Sequence, residues 1–186
     1  MRKNFGAETW LYPMPVFIIG TYNEDGSANA MNAAWGGTAN TGKIAICVDK
    51  GHKTTENFKA RKAFTVSIAD AAHVVQADYV GIASGHDTPD KAEKAGLTVI
   101  ASQHVDAPYF REFPMTLECR LVSYDDESEL LIGEIINVSA EDSSLGGDGQ
   151  IDPQKLQPIT YDPVHHDYIV LGSKVGKAFS DGAALE

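Results

Sequence analysis

The sequence predicts a mainly β protein, a β-barrel decorated with short helices. At least six strand-like runs are spaced by turn residues along the chain. The first two are joined at Asn23-Glu24-Asp25-Gly26, and Asp-Gly between apolar runs signals a tight hairpin. The first three runs leave no room for the crossover helices that a parallel sheet needs, so an antiparallel barrel is favoured over a doubly wound fold.

Val16–Tyr22 is β-branched and aromatic and reads as the first strand. Its return runs from Ser27 to about Trp35, and Gly36-Gly37 then marks a bulge or bend. Lys43–Val48 is a third strand, with Ile44, Ile46 and Val48 on one face and Ala45 and Cys47 on the other. A short helix over 54–62 follows, with Thr54 as its N-cap and Glu56 suiting the dipole of its first turn. Ala63–Ile68 is a fourth strand. Asp70–Tyr79 and Pro89–Ala95 read as helices, the second stopped by Gly96. Met115–Ser123 alternates Met115, Leu117, Cys119 and Leu121 with polar residues, the period-2 pattern of a half-buried strand. Glu129–Val138 is almost continuously apolar, so it is expected to be covered on both faces. Glu141–Gln150 is an acidic loop, Tyr168–Leu171 a last short strand, and Lys174–Phe179 a closing helix.

The chain has 186 residues, 43% hydrophobic and 22% charged, which suits one globular domain spanning residues 1–186. Lys and Arg number 15 against 26 Asp and Glu, a net charge of −11. Nucleic-acid binders and proteins of anionic membrane surfaces carry the opposite sign, so neither partner is expected. A phosphate-bearing small ligand would need a local cationic pocket. Cys47 and Cys119 lie in apolar runs without a C-x-x-C spacing and are expected as buried, reduced thiols. The N-terminal residues lack the apolar stretch of a signal peptide, and a cytoplasmic location is expected.

Several motifs fail. There is no G-x-G-x-x-G, no phosphate loop ending in Gly-Lys-Ser/Thr and no G-x-S-x-G elbow. His165-His166-Asp167 is the best histidine cluster, but adjacent strand residues point apart, and a solvated loop accounts for it better than a metal site.

Three stretches carry more. Asn29-Ala30-Met31-Asn32-Ala33-Ala34-Trp35 is a strand of small residues, which lets a flat object approach the backbone. Asp49-Lys50-Gly51-His52-Lys53-Thr54-Thr55 enters a helix and gathers Lys, His and two Thr at its start, where free amides and the dipole favour an anion. Ser84-Gly85-His86-Asp87, Asp90-Lys91 and Ala95-Gly96-Leu97-Thr98 form a polar loop and short helix. Taken alone, each also fits an ordinary structural role.

These three stretches, with Tyr12-Pro13-Met14-Pro15-Val16, Leu117-Glu118-Cys119, Ile132-Gly133-Glu134-Ile135 and Tyr168…Leu171-Gly172, resemble the flavin reductase-like, FMN-binding split-barrel family, in its flavoredoxin branch. The similarity runs from about residue 10 to 180. It implies a Greek-key-like split barrel that forms a homodimer with one FMN per subunit near the interface. Met31, Asn32, Ala33, Ala34 and Trp35 would run beside the isoalloxazine ring. Asp49, His52, Lys53, Thr54 and Thr55 would surround the phosphate, and Ser84, Gly85 and Lys91 would approach from another side. Family members often carry Arg after the Ser-Gly pair, where this chain has His86. The implied activity is FMN-dependent electron transfer, with NAD(P)H as co-substrate and a protein or free acceptor downstream. Two alternatives are an FMN carrier without a nicotinamide site, and a split barrel that has changed ligand to haem or a deazaflavin. No catalytic side chain is assigned, because the cofactor carries this chemistry.

Overall fold

A computed structural model describes residues 1–185. In chain order the strands and helices are β1 (Met14–Pro15), β2 (Phe17–Tyr22), β3 (Ala28–Ala33), β4 (Gly36–Asn40), β5 (Lys43–Cys47), α1 (Lys53–Arg61), β6 (Ala63–Ile68), α2 (Val74–Ile82), α3 (Lys91–Lys94), β7 (Val99–Ala101), β8 (Pro108–Phe110), β9 (Met115–Asp125), β10 (Leu130–Ala140), α4 (Pro153–Leu156), β11 (Ile159–Asp162) and β12 (Asp167–Val170).

Seven strands form the main sheet in the order β3-β2-β6-β9-β10-β5-β4, all antiparallel. Met31 of β3 and Ile44 and Ile46 of β5 share one core with Phe17, Ile19, Phe58, Phe64, Val66 and Leu131. In a flat sheet β3 and β5 would stand about 24 Å apart at the usual strand spacing. The sheet therefore curls around this core as an incomplete barrel, and α1 packs against it through fully buried Phe58. The other face of β2 presents Ile18, with Val16 just before the strand, to a second core with α2, α3 and Phe110. Burial on both faces explains why β2 reads as an unbroken apolar run. A smaller sheet, β1-β11-β12, carries the chain termini, and β7 pairs with β8.

The β2–β3 hairpin forms as expected, with Gly26 at φ +85°. Three expectations need correction. Gly36 and Gly37 are not among them: they open β4 directly after a bend at Trp35. A Cβ on Gly36 would meet the Ala45 carbonyl at 2.9 Å and Phe17 at 3.0 Å, so glycine here permits close approach to β5. Cys47 is exposed, because it points away from the face that buries Ile46; Cys119 is buried, and burial then the Glu118 charge push its thiol up to about 12. On β10 only Leu131 and Gly133 are buried; two register shifts against β9 interrupt the ladder, and Val138 beyond them is exposed. Residues 174–179 form no helix, since Val175 and Phe179 find no surface in their own chain and so short an isolated helix is unstable.

Candidate functional site

Two grooves meet at the start of α1 and the end of α2. The first, about 270 Å³, has Met31, Asn32, Ala33, Ala34 and Trp35 along one wall, with Val48, Asp49 and His52 beside them. The opposite side is Asp78, Gly81 and Ile82 of α2, with Tyr161 and Tyr168 of the small sheet. Three rings line it in sequence, Trp35 to Tyr161 and Tyr161 to Tyr168, each pair 6.2 Å apart between centroids. Tyr168 donates to Asp78 at 2.9 Å; burial, then this bond, pushes its phenol up to about 12, so it stays protonated. Asn32 is held by the Ala77 carbonyl at 3.0 Å. Gly81 matters for width: a Cβ there would stand 3.0 Å from that of Asn32.

The second groove, about 360 Å³, is lined by Asn29, Gly51, His52, Lys53, Thr54, Ser84, Gly85, His86 and Lys91. It shares Met31, Asn32, His52, Gly81 and Ile82 with the first, so the two form one bent cleft. Its floor is the N-terminus of α1. The N-cap is His52, whose side chain makes no capping bond, and the Lys53 and Thr54 amides donate to no acceptor among the described residues. Such amides at the positive end of the helix dipole attract anions.

Thr54 is therefore not the N-cap but the second residue of the helix, two positions further in than the sequence suggests. Its hydroxyl is engaged by buried Asn29 at 2.8 Å, and Asn29 also reaches Thr21 at 3.3 Å. Thr55 lines neither groove; it is buried and donates to the Asp49 carbonyl at 2.8 Å. Asp49 lies in the ring-lined groove rather than the cradle, with its carboxylate accepting from the Gly51 amide at 2.7 Å. Lys53 pairs with Glu56 at 2.8 Å, and His86 Nε2 lies 3.1 Å from the Gly51 carbonyl. Gly85 permits close packing: a Cβ there would meet Asn29 Oδ1 at 2.6 Å and Lys53 Cβ at 3.0 Å.

Lys91 is the unusual member. It is 3% exposed and donates to the Val80 and Ala83 carbonyls at 3.0 and 2.7 Å, with no carboxylate partner among the described residues. Burial pulls its ammonium down to about 8. A buried cation balanced only by dipoles gives the cradle a positive potential within an acidic chain.

The sequence brought together the 31–35 strand, the start of α1, Ser84, Gly85 and Lys91, and the structure gathers all of these except Thr55 along one cleft. It missed Asp78, Gly81 and Ile82, whose i, i+3, i+4 spacing puts them on one helix face, and Tyr161 and Val48, for which no local signal exists.

Comparison with known proteins identifies the architecture. The sequence pattern described as "flavin reductase like domain" matches residues 9–162. The chain belongs to the flavin reductase-like family. Among solved members, flavoredoxin of Desulfovibrio vulgaris (Miyazaki F) is 41% identical, with a TM-score of 0.93 over 98% of this chain and 100% of that one. Flavoredoxin from Methanosarcina acetivorans is 26% identical, with a TM-score of 0.89 and full coverage of both chains. The uncharacterized protein YdfE of Bacillus subtilis (strain 168) is 26% identical over 197 residues, covering 95% of this chain and 93% of that protein. The curled sheet with few helices is thus the split barrel of this family. No helix among the described residues is long and apolar enough to cross a membrane.

Proposed function

We propose that this chain is an FMN-binding electron-transfer protein of the flavoredoxin kind. One observation carries the reading: an aromatic-lined groove opens directly into an anion cradle made of free helix amides and a buried, unpaired ammonium. A flat apolar ring system with a phosphate tail matches both halves of that cleft. In this reading Met31 to Trp35 flank the isoalloxazine, and the Lys53 and Thr54 amides with Lys91 hold the phosphate. The bound flavin would supply hydride acceptance and one-electron release. The chain's residues bind, orient and partly shield it. Tyr168, kept protonated and tied to Asp78 and Asn32, offers a neutral wall. Small Ala33 and Ala34 leave room for close approach.

The test is the visible spectrum of the purified protein, with any bound ligand released and weighed. A yellow protein releasing FMN is expected; a colourless protein that takes up no FMN contradicts the proposal.

Two sources of electrons fit the family. NAD(P)H could reduce the flavin directly, making the chain an oxidoreductase, or a redox partner protein could do so, making it a carrier. The lining of the ring groove favours the carrier: it holds Asp49 and Asp78 and no Lys or Arg to receive a dinucleotide's phosphates. Stopped-flow mixing with NADH and NADPH separates the two. The carrier reading requires slow reduction by both; rapid flavin bleaching by either establishes the oxidoreductase. In line with the family, the working unit is proposed to be a homodimer.

A further inference from the structure

The hairpin of β11 and β12 borders the ring-lined groove, and its loop, residues 163–166, holds a histidine in an uncommon backbone state. His166 sits at φ +63°, a left-handed conformation that glycine adopts far more readily. Its amide donates to the Asp162 carbonyl at 2.9 Å. The buried Asp162 carboxylate accepts from the Val164 amide at 2.9 Å, from His165 Nδ1 at 2.8 Å and from the Tyr12 hydroxyl. These bonds fix the turn. Glycine would serve it with less strain, so the imidazole has another reason to be there.

That imidazole reaches back to the groove. Its Nδ1 lies 2.6 Å from the Tyr161 hydroxyl, with the two rings 6.2 Å apart. Tyr161 is half-buried and lines the groove between Trp35 and Tyr168, while His166 is exposed and lies outside it. The pair thus spans from the ligand space to solvent. Rival donors in the groove are less well placed. Tyr168 commits its proton to Asp78, and the Asp49 carboxylate is engaged by the Gly51 amide. His52 stands at the start of α1, the anion end of the cleft.

We infer that Tyr161 is the proton donor of the ring-lined groove and that His166 resupplies it from solvent. The relay rests on the FMN reading, because a ring system that gains electrons from an outside donor becomes more basic and takes up protons. The Tyr161 O–H bond breaks toward the bound ring. As the phenol oxygen loses that proton it takes the Nδ1 proton of His166, and Nε2 of the same imidazole takes one from a solvent acid. One proton enters the groove, the charge of the pair is unchanged, and no electron passes through either side chain. Proton exchange with water then returns the imidazole to its Nδ1–H form. On reoxidation the hops run in reverse.

The first test needs no flavin. Nitrogen-15 NMR of the apo-protein at about pH 8 reads the tautomer: His166 should carry its proton on Nδ1, and in Tyr161→Phe the proton should move to Nε2. An Nε2–H tautomer in the wild type would leave Tyr161 donating to His166, with no proton for the groove, and overturns the relay. The second test mixes FMN-saturated protein with reduced methyl viologen, which delivers electrons without protons, in weak buffer with an indicator dye that reports proton uptake. Tyr161→Phe and His166→Gly should each slow uptake about tenfold or more. Glycine suits the turn, so His166→Gly should fold; added imidazole should restore its rate and should not help Tyr161→Phe. Uptake at the wild-type rate in either variant, or slowing in His166→Gly that imidazole does not relieve, overturns the relay alone. A wild type that takes up no FMN contradicts the function proposed above, and the relay falls with it.

Discussion

Lys91→Met removes the buried ammonium while keeping much of its stem, and its consequences can be worked through. In the folded chain burial lowers the ammonium from 10.5 to about 8. At about 1.4 kcal/mol per pH unit, the fold bears roughly 3 kcal/mol to keep the charge buried at neutral pH. Below pH 8 both folded and unfolded chains hold the proton and that cost is complete. Between pH 8 and 10.5 the unfolded chain binds more protons than the folded one, so this group's contribution to stability rises with pH and then levels off. Anion binding runs the other way. A phosphate favours the charged form, so FMN affinity should fall as pH rises through about 8. In the variant, relief of the charge is offset by leaving the Val80 and Ala83 carbonyls without their donor, a cost of about 1–3 kcal/mol. The apo-protein's stability at pH 7 should therefore change by no more than about 2 kcal/mol. Losing one charge-assisted bond to phosphate, worth about 1.5–3 kcal/mol, should weaken FMN binding roughly 10- to 100-fold. Isothermal titration from pH 7 to 10 in two buffers of different ionisation enthalpy measures both. The wild type should take up a proton on binding FMN near pH 8.5, and the variant should not. Equal affinities with superimposable pH profiles would refute the role given to Lys91.

Three further substitutions probe the frame of the cleft. Gly85→Ala puts a Cβ 2.6 Å from Asn29 Oδ1, and Asn29 is too buried to move freely; FMN fluorescence titration should show at least tenfold weaker binding with circular dichroism unchanged. Asn29→Ala leaves the buried Thr54 hydroxyl without its donor and should lower unfolding free energy by about 1–3 kcal/mol in urea. Phe64→Ala empties a fully buried site in the barrel core and should lower it by about 3–5 kcal/mol, with no shift in the pH profile of ligand binding.

Elements with local instructions were legible in the sequence. The β2–β3 hairpin is written in Asp25-Gly26, and β5 in the alternation of Ile44, Ile46 and Val48. The gathering of Gly51, His52, Lys53 and Thr54 in one groove was legible because these residues are contiguous at a helix start. Features set by tertiary pairing were not. β7 and β8 are three residues each, and β8 begins at a proline; their pairing with one another makes them strands. β1 exists only through its pairing with β11, joining residues 146 apart. Cys47 sits in an apolar run, yet its face is open, since nothing in a single strand says which side is covered. Tyr161 enters the ring-lined groove from the small sheet, a juxtaposition no spacing encodes. Lys174–Phe179 reads as a helix in the sequence, but Val175 and Phe179 are fully exposed among the described residues and so short a helix has no packing to hold it.

Side-by-side affinities for FMN and riboflavin, taken by equilibrium titration at pH 7 and low salt, bear most directly on the cradle at the start of α1. The two ligands share the ring and differ by the phosphate. FMN should bind at least 100-fold more tightly, and that preference should shrink in Lys91→Met. Equal affinity for both would mean that no phosphate rests on the Lys53 and Thr54 amides, and the assignment of this cleft would fail.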